Sequence, residues 1–424
     1  MLDPKWVRDH PDEVRRAALR KRVDADVDGW LEADREHREL LASVEAGRAE
    51  LKASSKTLGK LAPAEREAAL AGQKAAKAEL KDLESREQVL RDRVRDLGLR
   101  LPMPPAAEVP DGRDDGDNLE IRRVGSPPQF GFEAASHDEL GERLGIVDIP
   151  RGVRLAGSRN YLLLGDGARL EQAVLQLALE HMHARGFTLC SVPTLVNREC
   201  MVGTGYFPGG EEQAYLVERD EMALVGTAEV ALTAIHAGET LEAAGLPIRR
   251  IAVSPCYRRE AGTYGKDTKG LYRVHQFWKV EQVVVGPADE AWSREEHERM
   301  LGHATDFMDL LELPYRVVNV CTGDLGQGQV QKFDVETWMP SRNGYGETHS
   351  ASRFHDFQSR RLDLRYRPVG GAKPQFCHTL NNTVIASPRV LIALLENFQQ
   401  ADGSIRLPRV LAERMGQERI GPPA

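Results

Sequence analysis

Residues 254–281 read S-P-C-Y-R-R-E-A-G-T-Y-G-K-D-T-K-G-L-Y-R-V-H-Q-F-W-K-V-E, and their charge differs from that of the chain around them. Six Lys or Arg stand against three Asp or Glu, interleaved with Tyr257, Tyr264, Tyr272, Phe277 and Trp278, in a 424-residue protein of formal net charge -8. Residues 251–254 read as a strand, 256–260 as its end, 261–270 as a Gly/Lys-rich loop and 271–285 as the returning strand. Side chains alternate along a strand. Arg258 and Glu260 are therefore expected on one face and Arg259 on the other, while Arg273, Phe277 and Glu281 share a face on the return. One face then offers two arginines, an aromatic surface and two carboxylates: groups suited to a phosphate, a flat base and an ammonium. A solvated hairpin needs no such sorting.

The surrounding sequence sets the fold class. A helix is expected at 167–185, stopped by Gly186 and followed by a strand, F-T-L-C-S-V, ending at Pro193. Further strands are expected at 222–226, 249–255, 315–320, 332–338 and 362–367, and a last helix at 388–400. Strands joined by hairpin-like loops outnumber strand–helix–strand units. This favours an α+β body, an antiparallel sheet flanked by helices, over a doubly wound parallel sheet.

The first 100 residues have another character. They hold 22 Lys or Arg and 21 Asp or Glu. Apolar residues recur at heptad spacing through Trp30, Val44, Leu51 and Leu58, and again through Leu83, Leu90 and Leu97. His37, Asp34 and Arg48 interrupt the first seam. Two long helices are expected, with Gly59 and Pro63 turning the chain back between them. A helix of about 30 residues is roughly 45 Å long, against a radius of gyration of about 20 Å for a 300-residue body. An antiparallel two-helix coiled-coil arm reaching into solvent follows, with Lys52, Lys56 and Lys60 making its tip basic. A plain solvated turn or a dimerisation coiled coil is the competing explanation of these 105 residues. Residues 106–118, rich in Pro, Gly and Asp, read as a linker, and 119–424 as the second domain.

Bulk properties narrow the class further. No apolar run approaches the roughly 18 residues of a membrane span, and the N-terminus lacks the apolar core of a signal peptide, so a cytoplasmic protein is expected. The five cysteines are odd in number, spread out and never in C-x-x-C spacing, which argues against a disulfide framework and against zinc. No G-x-x-x-x-G-K-[ST] occurs, and G-T-G-Y-F-P-G-G at 203–210 lacks the spacing of a dinucleotide loop. If a triphosphate binds, arginines must hold it, each planar fork bonding two oxygens at once.

Three further stretches converge on the same chemistry. G-T-A-E at 226–229 offers a hydroxyl and a carboxylate. G-E-T-H-S-A-S-R-F-H-D-F-Q-S-R-R at 346–361 brings Glu347 and Ser350 close together, ready for a magnesium ion or a polar substrate. In L-N-N-T-V-I-A-S-P-R-V-L-I-A-L-L-E-N, from 380, Arg389 opens an apolar helix at the end that favours phosphate.

R-R-E with R-V-H-Q-F-W-K-V-E resembles motif 2 of the class II aminoacyl-tRNA synthetases, and P-R-V-L-I-A-L-L-E-N resembles motif 3. The helix and strand ending at Pro193 are similar to motif 1, which in that class forms a homodimer interface. Within the class, T-A-E, the E-x-x-S-x-S-x-x-x-D-F-Q-x-R-R stretch and T-L-N-N-T with Q-Q-A-D-G resemble the seryl-tRNA synthetases, whose N-terminal helical hairpin binds tRNA. The resemblance implies activation of L-serine with ATP and Mg2+, then transfer to tRNA(Ser), with tRNA(Sec) a further acceptor in some members. It places Arg258 on the α-phosphate and serine carboxylate, Glu260 at the adenine edge with Arg259 and Val274 beside it, and Phe277 under the adenine. Arg273 and Arg389 would contact phosphate, Glu347 and Ser350 would hold magnesium, and Thr348 and His349 complete that stretch. Thr227, Ala228, Glu229, Glu281 and Thr383 would surround the serine. Catalysis would rest on Arg258, Glu281 and Arg389. His349 and Arg353 depart from the usual family pattern. Two rivals remain: a relative that charges a carrier protein, which should lack or reshape the arm, and a non-catalytic RNA-binding protein, which should tolerate loss of Arg258, Glu281 or Arg389.

Overall fold

A computed structural model describes residues 1–58, 62–262 and 270–421. The chain forms two compact units, Met1–Pro104 and Pro105–Ala424.

The first unit consists of α1 (Pro4–Asp9), α2 (Pro11–Lys21), α3 (Val27–Thr57) and α4 (Pro63–Gly98). Asp3 caps α1 and Asp26 caps α3 by accepting from backbone N–H groups of the first turn. α3 packs along α4, with Trp30 and Val44 buried on α3. The polar residues that break the heptad seam have partners. His37 Nε2 meets Glu87 Oε1 at 2.8 Å, Arg48 Nε donates to Glu84 Oε1 at 2.9 Å, and Asp34 accepts from Arg8 and Arg38. Such pairs fix register and pairing in a helical hairpin more than they stabilise it. Lys52 and Lys56 are exposed near the end of α3, and Lys60 lies outside the described residues.

The second unit is built on an eight-stranded sheet. Its strands are β1 (Leu119–Val124), β2 (Thr188–Leu189), β3 (Ile248–Tyr257), β4 (Gln276–Gly286), β5 (Tyr315–Asn319), β6 (Gln331–Met339), β7 (Gly344–His355) and β8 (His378–Ala386). The order across the sheet is β1-β5-β6-β7-β8-β4-β3-β2. Every pairing is antiparallel except that of β2 with β3. Three helices, α5 (Asp166–His183), α6 (Glu290–Leu310) and α7 (Ser387–Asn397), contribute to one apolar core with the sheet. Leu170 and Val174 of α5, Met300 and Phe307 of α6, and Val390 and Leu394 of α7 meet Ile251, Val280, Val284, Val335 and Leu380 there. β4 is central and buried from Val280 to its end, which explains its unbroken V-V-V run.

Several boundaries shift from the sequence expectation. The strand expected from 271 starts at Gln276, because Leu271 N donates to His137 Nε2 at 3.0 Å instead of entering the ladder. The strand expected from 187 shrinks to Thr188–Leu189, and that expected from 362 to Arg365–Arg367, behind a helix at Phe357–Leu362. Residues 106–118 lie along the second unit: Ala106 N donates to Val330 O at 2.9 Å, Asn319 Nδ2 to Glu108 O at 2.9 Å, and Val109 is buried.

The register of the sheet shifts at four places, with Ile121 of β1, Thr348 and Phe354 of β7 and Val384 of β8 as extra residues, and the shifts at Thr348 and Val384 bear on the cleft described below. Glu336 faces Glu347 and Val335 faces His349, so Thr348 is an extra residue in β7; Val280 faces Ile385 and Glu281 faces Thr383, so Val384 is an extra residue in β8. His349 and Arg353 are buried on the side away from the cleft described below. Arg353 there holds Glu290, Glu108 and Gln331.

His297 of α6 is buried, with Nε2 bonded to Ala351 O at 2.9 Å, and burial pushes its pKa from 6.5 down to about 4. Its folded pKa lies below its unfolded one, so the unfolded chain takes up the proton first. This contribution to stability is complete above about pH 6.5 and shrinks as the pH falls. The stability difference between the wild type and His297→Gln should therefore narrow by about 2 kcal/mol between pH 7 and pH 5, read from urea unfolding. A constant difference refutes the assignment of a neutral buried imidazole.

Candidate active site

A cleft opens on the face of the sheet opposite α5, α6 and α7. Strand parity supplies its floor: Phe277, Lys279 and Glu281 from β4, Ser350 and Ser352 from β7, and Asn381 and Thr383 from β8. The bulges add to this. Thr348 lets Glu347 join Ser350 on the cleft side, and Val384 lets Ala386 join Thr383. The walls are the end of β3 with Arg258 and Glu260, the turn at Tyr272–Val274, the first turn of α7 with Arg389, and Thr204–Tyr206 with Glu229.

The two ends of the cleft differ in chemistry. At one, Arg258 lies over the Phe277 ring at 5.3 Å and Arg389 over the Tyr272 ring at 4.5 Å. Arg389 Nη1 donates to Glu347 O at 2.7 Å and to Glu347 Oε2 at 3.2 Å. Burial works to raise the Glu347 carboxyl, but Arg389, Lys332 and Arg258 together outweigh it and hold the group well below the usual carboxylate range. Glu347 thus stays an anion across the neutral range, with its side chain 45% exposed toward the cleft. Arg273 Nη1 bonds Glu260 Oε2 at 3.1 Å, and Glu260 takes a left-handed backbone conformation, φ 53°, as the chain leaves β3.

At the other end the groups are buried. Tyr206 donates to Glu229 Oε2 at 2.8 Å, and Gln358 Nε2 to Glu229 Oε1 at 2.8 Å. Burial, then repulsion from Glu281, pushes the Glu229 carboxyl up. Burial also drives the Tyr206 phenol well above its ordinary value, so it remains a donor. Thr383 Oγ1 donates to Glu281 Oε2 at 3.3 Å, and Lys279 Nζ lies 2.5 Å from the same oxygen.

Of the residues singled out from sequence, Arg258, Glu260, Arg273, Val274, Phe277, Glu281, Glu229, Glu347, Thr348, Ser350, Thr383 and Arg389 line this one cleft. Four do not. Thr227 is buried behind it, accepting from Glu229 N at 3.2 Å, and Ala228 packs in a small apolar cluster with Leu232 and Val283. Arg259 is exposed, and His349 is buried, with burial lowering its pKa to about 4. Thr348 reaches the cleft, but its hydroxyl is bonded to Thr337 Oγ1 at 2.8 Å. Lys279, Tyr206 and Asn381 were missed. Lys279 could have been found, since it falls between Phe277 and Glu281 at the same alternation. Tyr206 sits between glycines in a stretch with no periodicity to read.

An antiparallel sheet that presents arginines from a strand–loop–strand unit and from the first turn of the helix after its last strand is the catalytic core of a class II aminoacyl-tRNA synthetase. Residues 215–398 match the family described as tRNA synthetase class II core domain (G, H, P, S and T), and residues 1–105 match the seryl-tRNA synthetase N-terminal domain. The chain is 46% identical over 424 residues to a serine–tRNA ligase of Deinococcus radiodurans, covering 100% of both. A serine–tRNA ligase of Thermomicrobium roseum is 43% identical, with 99% of this chain and 95% of that one covered. The crystal structure of seryl-tRNA synthetase from Pyrococcus horikoshii complexed with ATP superposes with a TM-score of 0.91 at 36% identity, covering 100% of each chain. The chain belongs to the seryl-tRNA synthetase family, and its activity is serine–tRNA ligation.

The Tyr206–Glu229–Gln358 network gives a direct check on the buried end. Tyr206→Phe leaves one buried carboxylate oxygen without its donor, and should lower the unfolding free energy by about 1–3 kcal/mol. Chemical denaturation measures this, and an unchanged midpoint contradicts the network.

Proposed function

We propose that the cleft performs both steps of serine–tRNA ligation with its two ends divided between ATP and serine. The observation that supports this division is the juxtaposition of Arg258 and Arg389, each over an aromatic ring, with the buried Glu229, Glu281 and Thr383 in the same cleft. Adenine stacks on Phe277, with Glu260 at its edge, and the arginines Arg258, Arg273 and Arg389 bind the phosphates. The serine ammonium and hydroxyl lie among Glu229, Glu281 and Thr383, with Thr227 and Ala228 shaping the wall behind.

The first step needs no general base, because the serine carboxylate is already ionised. It attacks the α-phosphate and expels pyrophosphate, so two anions must approach each other. Arginines held in place before the reaction offset that repulsion at no cost in reorganisation. A ribose hydroxyl at the tRNA end then attacks the adenylate carbonyl and displaces AMP, its proton passing to the departing phosphate. Alanine is rejected because a site built to bond a hydroxyl leaves its own buried groups unpaired without one, a discrimination of about 10⁴–10⁵. Threonine must be excluded sterically.

Glu347 and Ser350 suit magnesium, which takes one or two protein oxygens and completes its shell with phosphate and water. The bulge turns both toward the cleft and Glu347 is ionised there, so this donor set fits. Glu347 and Ser350 would hold such an ion, which would supply positive charge toward the triphosphate. The helical hairpin binds tRNA through a basic end that includes Lys52, Lys56 and Lys60. A homodimer forms along α5 and β2, where Leu189 is 53% exposed on the sheet's last strand. Among the described residues no helix is long and apolar enough to cross a membrane, and we place the enzyme in the cytoplasm.

Pyrophosphate exchange tested with all twenty amino acids should respond to serine alone, and a response to another amino acid instead overturns the substrate. Phe277→Ala should raise the ATP KM about tenfold through lost stacking. Deleting residues 30–97 should leave exchange largely intact while tRNA charging collapses; equal loss of both refutes the division between arm and cleft.

A further inference from the structure

A lysine faces the end of the cleft that is assigned to an ammonium. Phe277, Lys279 and Glu281 alternate on β4, so the Lys279 side chain enters the cleft between the other two. It is 6% exposed, beside Glu281 at 2% and Glu229 at 5%. A cation in a cation pocket is unfavourable unless it is already balanced. Its Nζ lies 2.5 Å from Glu281 Oε2 and 3.5 Å from Thr383 Oγ1.

We propose that Lys279 is a positioning residue for serine recognition, holding Glu281 in one orientation and setting the charge of the amino-acid end at one net negative. This rests on the assignment of Glu281 and Thr383 to serine. With Arg258, which also faces this cluster, given over to the phosphates, two carboxylates and one ammonium leave one negative charge, which one substrate ammonium matches. The other groups turned toward this cluster are Tyr206, Arg258 and Cys256. Tyr206 and Gln358 already occupy both oxygens of Glu229. On Glu281, Lys279 and Thr383 both bond Oε2, and among the described residues Oε1 accepts no hydrogen bond. Lys279 thus selects which oxygen of Glu281 is left for the ligand. Without it, Glu281 and Glu229 repel each other unscreened, and the carboxylate is free to turn.

The test uses full-length Lys279→Met, Lys279→Gln, Lys279→Arg and Glu281→Gln, with the Met and Gln changes at Lys279 also combined with Glu281→Gln. Thermal midpoints establish folding, and pyrophosphate exchange gives the KM for serine and for ATP. Lys279→Met and Lys279→Gln should each raise the serine KM about 30-fold or more, as expected when one partner of a buried charge pair is removed. The ATP KM should stay within about twofold, and Lys279→Arg should recover most of the loss. Because the pair acts as a unit, the change at Lys279 should cost less than about threefold more in the Glu281→Gln background. Either neutral variant suffices if the other does not fold. A parallel rise in the ATP KM, or losses that multiply in the double variants, overturns the proposal. If Glu281→Gln leaves the serine KM unchanged, the assignment of the serine pocket fails. If Glu281→Gln raises it and the changes at Lys279 do not, only the role of Lys279 fails.

Discussion

Strand β4 must be buried on both faces while carrying ions on one of them, and the catalytic unit is arranged around that demand. Removing a charge from water costs several kcal/mol even after relaxation, and an opposite charge repays this only in good geometry. Paired strands on either side supply the geometry. Glu281 is opposite Thr383 on β8 and Ala252 on β3, and Lys279 is opposite Ser254 and Ala386. The reverse face meets this demand with apolar packing, where Val280 and Val284 join the core beneath the helices. The ladder fixes where each ion stands, and the core keeps the ladder from moving. Pairs such as Lys279–Glu281 and Arg389–Glu347 are therefore better understood as holding positions than as adding stability.

Much of this was legible in the sequence because it depends on period. Alternation on β4 placed Phe277 and Glu281 together, and heptad spacing identified both arm helices. The P-R that opens α7 identified Arg389 through its place at a helix start. What period cannot show is the point where it breaks. Nothing in E-T-H-S marks Thr348 as an extra residue; the bulge depends on how β7 matches β6. The early end of the ladder before Gln276 depends on His137, more than a hundred residues away in the chain. Long-range partners of this kind leave no local trace. Neither did the partners of His37 and Arg48, whose interruption of the seam looked like weakness and proved to be complementarity with Glu87 and Glu84.

His349 and Arg353, singled out in the sequence beside Glu347 and Ser350, are buried away from the cleft. Arg353 is fully buried and joins the 106–109 segment to the start of α6 through Glu108 and Glu290, a structural task separate from substrate binding.

The bulges at Thr348 and Val384 lie on neighbouring strands, like two dislocations side by side in a layered crystal. Each reverses which side of the sheet later residues occupy. Before the fault, alternation assigns side chains to oil or to water in one sense, and after it in the other. Losing a single residue at either place would leave the composition of the segment nearly intact while sending Ser350 or Ala386 into the core and its apolar neighbour into the cleft. Over these few positions, the number of residues is under as strict a constraint as their identity.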